Sequence, residues 1–205
     1  TSRFVIVDGY DVAGGGIITA SVTDEQDSLR SEARMRDFAW IHGGVSASER
    51  AVRFGHQSAL VMFVGKASAG KQRLARALEK ALFTAGRHTY LLDGTNVLMG
   101  VDHDLSVDAT QEELVRRFGE VAYLFLTSGT ILVSTTNAIG LADHSAVQAL
   151  IGQNPLIAVE LDPTGRSTLP CDLRITGDEP EADVVTKVTA LLQERGVFTV
   201  PAQDG

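Results

Sequence analysis

The feature that most limits the fold of this chain is an unbroken apolar run that ends on a loop of glycines and lysines. Residues 59–64 read ALVMFV. A strand buried on both faces has this texture, whereas a half-exposed strand alternates. Directly after it come Gly65, Lys66, Ala67, Ser68, Ala69, Gly70, Lys71 and Gln72. A helical period follows, with Leu74, Leu78 and Leu82 on one face and an end near Gly86. Strand, glycine-framed loop and helix form the context of a phosphate-binding loop, G-x-x-x-x-G-K-[ST]. In such a loop the backbone N–H groups and the helix N-terminus point at an anion. Gly65 and Gly70 permit the tight wrap, and Lys71 reaches the terminal phosphates. The final position, where a Ser or Thr hydroxyl sits on Mg²⁺, is Gln72.

The same alternation continues along the chain. Strands are predicted over residues 89–93, 130–134 and 156–161, with a short one over 173–176. Helices are predicted between them. One carries Leu114, Phe118, Val121, Ala122 and Phe125 on a single face, a shorter one covers 141–151, and the last, 181–194, buries Val184, Val188, Leu191 and Leu192. Short joins between alternating strands and helices predict an α/β fold, a P-loop NTPase-like parallel sheet with helices on both faces. Residues 58–200 form this domain. Ahead of it, residues 3–8 and 16–22 read as two strands joined by a turn-rich segment. Two strands cannot bury a core alone. The segment 1–22 is therefore expected to be a short β remnant, the end of a β-barrel belonging to a preceding domain. Residues 23–57 are charged and read as an irregular linker. Within it Ser46-Ala47-Ser48-Glu49 has capping-box spacing and starts a short helix through about Phe54. The chain opens without an initiator Met, as expected of a piece of a longer protein.

Bulk properties narrow the partners. The 205 residues carry a formal net charge of -8, which argues against nucleic acid and anionic membranes as partners while leaving room for a local basic pocket. The single cysteine, Cys171, permits no intrachain disulfide. No apolar run reaches the length of a membrane span and no signal peptide heads the chain, so the expected location is cytoplasmic. His88, His103 and His144 lack metal-ligand spacing, and His42 and His56 fall in the linker; no protein metal site is expected.

Other candidates sit at strand ends, the edge where open α/β sheets bind ligands. Asp93, followed by Gly94, Thr95 and Asn96, either holds Mg²⁺ through water, acts as a base, or simply begins an Asp-Gly turn. Lys66 either grips phosphate or faces solvent. Arg116 and Arg117 are placed on a helix facing the same edge, where one of them can point inward at a sulfate or phosphate. Ser134-Thr135-Thr136-Asn137 ends the third strand there as a polar loop or a substrate contact.

In order and content these landmarks resemble adenylylsulfate (APS) kinase. The carriers are residues 65–72, then YLLDGTNVLMG at 90–100, then ELVRRFGEVA at 113–122. The resemblance runs from about 59 to 161. Residues 3–8 and 13–18 resemble the end of the last barrel of the GTPase subunit of ATP sulfurylase, which in some bacteria is fused to APS kinase. That subunit is the attached partner the resemblance implies, and a homodimer is compatible with it. The implied activity is phosphoryl transfer from Mg-ATP to the 3′-hydroxyl of APS, giving PAPS, through positioning and charge neutralisation. Lys71 and Asp93 would be catalytic, residues 65–72 would bind the nucleotide, and Asn96, Arg116 and Arg117 would bind substrate.

The departures from the family pattern fall where that work is done. The loop hydroxyl is Gln72, and the second carboxylate of D-G-D-N is Thr95. The Arg after it is Leu98. On the helix, Gln111 replaces an Arg and Leu114 replaces the Asn that would contact APS; the aromatic expected near Ser106 is missing. The F-I-S-P element reads Thr135-Thr136-Asn137-Ala138, and the basic lid shrinks to residues 163–167 with one Arg. Each lost charged contact costs on the order of 1.5–3 kcal/mol, so several together remove powers of ten in rate. The expectation is a retained fold with a degraded APS pocket, Mg-ATP binding weakened, and a regulatory or assembly role. The alternative is an active kinase on APS or another small substrate.

Overall fold

The computed structural model describes residues 2–8, 11–18, 25–66, 70–105, 110–137 and 139–198, with only the backbone over 2–8, 11–18 and 25–27. Its centre is β3 (Ala59–Gly65), whose first six residues are all buried. Strands β4 (Thr89–Asp93), β5 (Ile131–Thr135), β6 (Leu156–Leu161) and β7 (Leu173–Ile175) join it in the order β4-β5-β3-β6-β7. Every pairing in this sheet is parallel, so all five strands deliver their carboxyl ends to one edge.

The pleat sorts β3 between two cores. Leu60, Met62 and Val64 pack with Val115, Phe118, Ala122 and Leu150. These come from α5 (Gln111–Thr127) and α6 (His144–Ile151), the latter preceded by one 3₁₀ turn, Leu141–Asp143. Val61 and Phe63 face the other way, onto Leu74 and Leu78 of α3 (Lys71–Thr84) and Val188 and Leu192 of α7 (Glu181–Glu194). Each such side chain contributes roughly 1.5–3 kcal/mol by leaving water. Gly119 sets how closely α5 meets α6: a Cβ there would lie 2.4 Å from Leu150 Cδ1.

Several expectations are corrected. The segment read as an irregular linker contains a 15-residue helix, α1 (Glu25–Ala39), besides the expected capped helix α2 (Ala47–Phe54). Leu29 and Ala33 of α1 are buried in the core. Its apolar stripe is only that narrow i, i+4 pair, which charged neighbours obscure in the sequence. Arg36 fastens α1 by donating to Glu120 at 3.1 Å and to the Leu150 carbonyl at 2.9 Å, with its guanidinium 3.5 Å over the Tyr123 ring. His56, also assigned to the linker, is buried; its Nε2 accepts from the His88 N–H at 3.0 Å, and burial lowers its pKa. On α5 the buried face includes Val115 and Leu126, while Leu114 is only half-buried.

Ahead of these, β1 (Ser2–Asp8) and β2 (Asp11–Ile18) pair antiparallel in a two-stranded sheet with an irregularity between Ile6 and Val7. The second strand begins at Asp11 rather than 16, and its predicted end at 19–22 lies outside the described residues. No helix among the described residues is long and apolar enough to cross a membrane.

Candidate active site

Parallel register places the site. Gly65 sits beside Leu161, and Asp93 beside Thr135, at the carboxyl edge. Gly65 leaves the sheet at φ 127, and a Cβ on it would lie 2.4 Å from the Leu161 carbonyl oxygen, so the chain turns there only as glycine. Gly70, at φ 83, is the N-cap of α3. Of the predicted loop, Gly65, Lys66, Gly70, Lys71 and Gln72 are described; Ala67, Ser68 and Ala69 lie outside the described residues.

Lys71 is buried and turned back into its own loop. Its Nζ donates to the Gly65 carbonyl at 2.5 Å, the Lys66 carbonyl at 2.9 Å and Asn137 Oδ1 at 2.8 Å. An ammonium has three donors, and all three are engaged. Burial lowers its pKa, with Asp93 acting in the opposite sense. Lys66 is exposed.

Asp93 is not a turn residue: it caps α4 (Gly94–Met99), a short helix that the sequence analysis had not separated from the strand end. Its Oδ1 accepts from the Thr95 N–H at 2.9 Å. Its Oδ2 accepts from Thr135 Oγ1 at 3.0 Å and from Gln72 Nε2 at 2.7 Å. Burial acts to raise its pKa, but these bonds outweigh that and the net shift is downward. Gln72 therefore presents an amide nitrogen, not an oxygen, to the carboxylate. Divalent cations of the Mg²⁺ type take oxygen ligands, and at this corner the Asp93 carboxylate offers them. No group of three or more His, Cys, Asp or Glu side chains suited to a metal occurs among the described residues.

Lys71, Gln72 and Asp93 line a cavity of about 130 Å³ that runs on to Leu98, Leu114 and Phe118. Three predicted substrate residues do not line it. Asn96 is exposed. Arg116 donates to both oxygens of Glu113, at 2.7 and 2.8 Å. Arg117 donates to Glu113 at 2.7 Å, Asp104 at 2.5 Å and the Val101 carbonyl at 2.7 Å. Arg117 thus ties α5 to the α4–α5 connection while Arg116 pairs within α5, and together they pull the Glu113 carboxyl down to about 2. The shortened lid is a turn tied to Asp162, which accepts from Thr164 and the Ser167 N–H; Arg166 on it is exposed. Sequence reasoning missed Asp102, which also lines the cavity. It carries no periodic or motif signal of its own.

The sequence profile described as adenylylsulphate kinase matches residues 57–169. The chain belongs to the adenylylsulphate kinase family. An adenylyl-sulfate kinase of Shewanella amazonensis is 40% identical over 128 residues, covering 62% of this chain and 65% of that protein. The match therefore spans just under two-thirds of that relative's length. One from Shewanella pealeana is 33% identical over 187 residues, covering 77% of this chain and 91% of that protein. Among solved structures, an APS kinase mutant of Mycobacterium tuberculosis has a TM-score of 0.56 at 29% identity, covering 67% of this chain and 99% of that one. A hexameric APS kinase from Thiobacillus denitrificans, at 22% identity and TM-score 0.61, shares the fold over 92% of this chain and 40% of that one. The parallel sheet flanked by helices is thus the APS kinase arrangement. Within the family's frame, Gln72, Leu98 and Leu114 all face the cavity in this chain.

Proposed function

We propose that this chain is an adenylylsulphate-kinase-family domain of sulfate activation that holds a nucleotide or phosphate on its loop, with transfer to APS lost or strongly reduced. In this reading residues 65–72 are the anion cradle, Lys71 turns from its loop carbonyls to the phosphates, and Asp93 is kept as an ionised cap of α4. The attached ATP sulfurylase GTPase-subunit-like domain, with its boundary near residue 22, makes the role regulatory or one of assembly. The observation that carries the proposal is the Gln72–Asp93 hydrogen bond. It fills with an amide nitrogen the corner where the family pattern has a metal-binding hydroxyl. A solved Mycobacterium tuberculosis APS kinase of the same fold holds AMPPNP and APS together; the nucleotide is the half of that pair which this cavity's loop end supports.

The test pairs binding with turnover. ADP at saturation should stabilise the chain by a few kcal/mol, on the order of several degrees in Tm. PAPS formation from Mg-ATP and APS should fall powers of ten below that of the Shewanella amazonensis enzyme measured alongside. PAPS formation at a comparable rate overturns the proposal and leaves the second reading, an active kinase acting through Lys71 and Asp93. That reading draws on the two side chains lining one cavity.

A further inference from the structure

At the opposite edge of the sheet, where the strands begin, one buried histidine holds two segments together. His56 is 3% exposed. Its Nε2 accepts from the His88 backbone N–H at 3.0 Å, and its Nδ1 lies 2.9 Å from the Gln57 carbonyl oxygen. A backbone N–H can only donate, so Nε2 carries no hydrogen. The proton of the neutral ring is therefore on Nδ1, where the Gln57 carbonyl accepts it. Both nitrogens are satisfied only in this one neutral tautomer. A second proton, on Nε2, would meet the His88 N–H donor to donor, and that bond would break.

The segment held by this bond is α2. None of its residues is buried. Its Ala51 and Val52 share a cavity of about 530 Å³ with Leu126 and Pro155, so close packing does little to fasten the helix. Its polar and aromatic ties are few. The Phe54 ring stacks on the His88 ring with 4.7 Å between centroids, the Gly55 carbonyl accepts from Arg87 at 2.5 Å, and Arg50 donates to the Ser128 carbonyl at 3.5 Å. His88 in turn leads into β4, and its carbonyl accepts from the Ile131 N–H at 2.9 Å. Burial lowers the His56 pKa, the Gln57 carbonyl raises it, and Arg87 and His88 lower it. Among the described residues no carboxylate acts on the ring, and the charged residues in the C-terminal half of α2, Arg50 and Arg53, are cationic too.

We propose that His56 is an acid-released latch: as the neutral tautomer it holds α2 to the turn between α3 and β4, and on protonation it lets α2 lift away while the sheet stays closed. The helix α1 ahead of it keeps its own hold, because Arg36 bonds the Leu150 carbonyl and stacks over Tyr123, and none of these groups changes charge between about pH 5 and 8. With α2 lifted, His56 titrates near its ordinary value of about 6.5 and takes up a proton there, whereas the latched ring does not. Closure is therefore complete above that pH and is lost as pH falls below it. The latch lies across the sheet from the phosphate loop, so it goes beyond the nucleotide-holding reading and does not depend on it.

The test is amide hydrogen exchange of the whole chain at pH 7.5 and pH 5.0, each amide corrected for its intrinsic rate. Protection of the His88 amide should fall roughly tenfold or more at the lower pH. Leu132, on a strand paired on both sides, reports the whole fold and should keep its protection. H56Q supplies an acceptor that cannot titrate and should abolish the fall. H88F keeps the backbone N–H and the stack on Phe54 but removes the other titrating ring, and should retain the fall. No fall at His88 in the unaltered chain, an equal fall at Leu132, a fall that survives in H56Q, or one that vanishes in H88F would each overturn the latch. Should H56Q fail to fold, the ring nitrogen shifts of the unaltered chain take its place. His56 Nε2 must then gain its proton over the pH range in which His88 loses protection, and titration outside that range overturns the proposal.

Discussion

The two ends of one cavity are built to opposite standards. At the loop end Lys71 and Asp93 both have partners among the described residues. Lys71 is spent on Gly65, Lys66 and Asn137, and Asp93 on Thr95, Thr135 and Gln72. Near α4 Asp102 has one oxygen unpartnered among the described residues, while Arg117, which acts on it electrostatically, is committed to Glu113 and Asp104. A self-satisfied site is stable when empty and must exchange bonds to bind. A site with an orphan acceptor carries a cost when empty and recovers it on binding. The loop end is thus closed on itself through Lys71 and Asp93, whereas Asp102 lines the same cavity with one oxygen unpartnered among the described residues.

Three variants break or sharpen this contrast. The largest effect is expected from Gly65→Ala. The new methyl would meet the Leu161 carbonyl oxygen at 2.4 Å in a backbone conformation that L residues rarely adopt. The loss of unfolding free energy should be about 3 kcal/mol or more, read from urea denaturation; a loss under 1 kcal/mol would show the loop end to be loosely built. Next, Lys71→Met removes the charge that must leave its three loop acceptors to meet phosphate. ADP affinity should fall roughly 10- to 100-fold, the worth of one charge-assisted hydrogen bond, and calorimetry would reveal an unchanged affinity at once.

The smallest effect is expected at the far end, from Glu113. Arg116 and Arg117 hold its carboxyl near 2 in the folded chain, below the ordinary value near 4.3 expected when unfolded. A depressed carboxyl contributes stability that is complete above about pH 4.5 and is lost as pH falls towards about 2. Because the pair is partly solvated, the contribution is at most about 1 kcal/mol. Glu113→Gln should therefore lower the urea midpoint slightly at pH 7 and flatten its decline below pH 4.5. An unaltered acid profile would mean that the arginines are not committed to Glu113.

Much of this architecture is legible in the chain. The uninterrupted apolar residues 59–64, the Leu74-Leu78-Leu82 stripe and the final helix over 181–194 report their own burial, because strand and helix periods are local properties. The helix α1 escaped because only Leu29 and Ala33 mark its inner face, and its anchors, Glu120 and the Leu150 carbonyl, lie far along the chain. The carboxylate partners of the arginines were illegible for a similar reason. A pair on a helix near the ligand edge has the look of an anion site, but Glu113 on the same helix takes both and Asp104 ahead of it takes Arg117.

The sequence alone determined the alternation of strands and helices from β3 onward apart from α4, the phosphate-loop position between β3 and α3, and the family. All three rest on neighbours within a few residues. Tertiary structure alone decided which polar atoms are satisfied. Parallel register sets Asp93 beside Thr135, 42 residues away. The same edge brings Gln72 to Asp93, 21 residues away, and Asn137 to Lys71, 66 residues away. Asp102 is left over only because none of those pairings reaches it. Hydrogen bonds act over about 3 Å in space regardless of distance along the chain, so a residue list names the candidates and the fold decides which of them are paired.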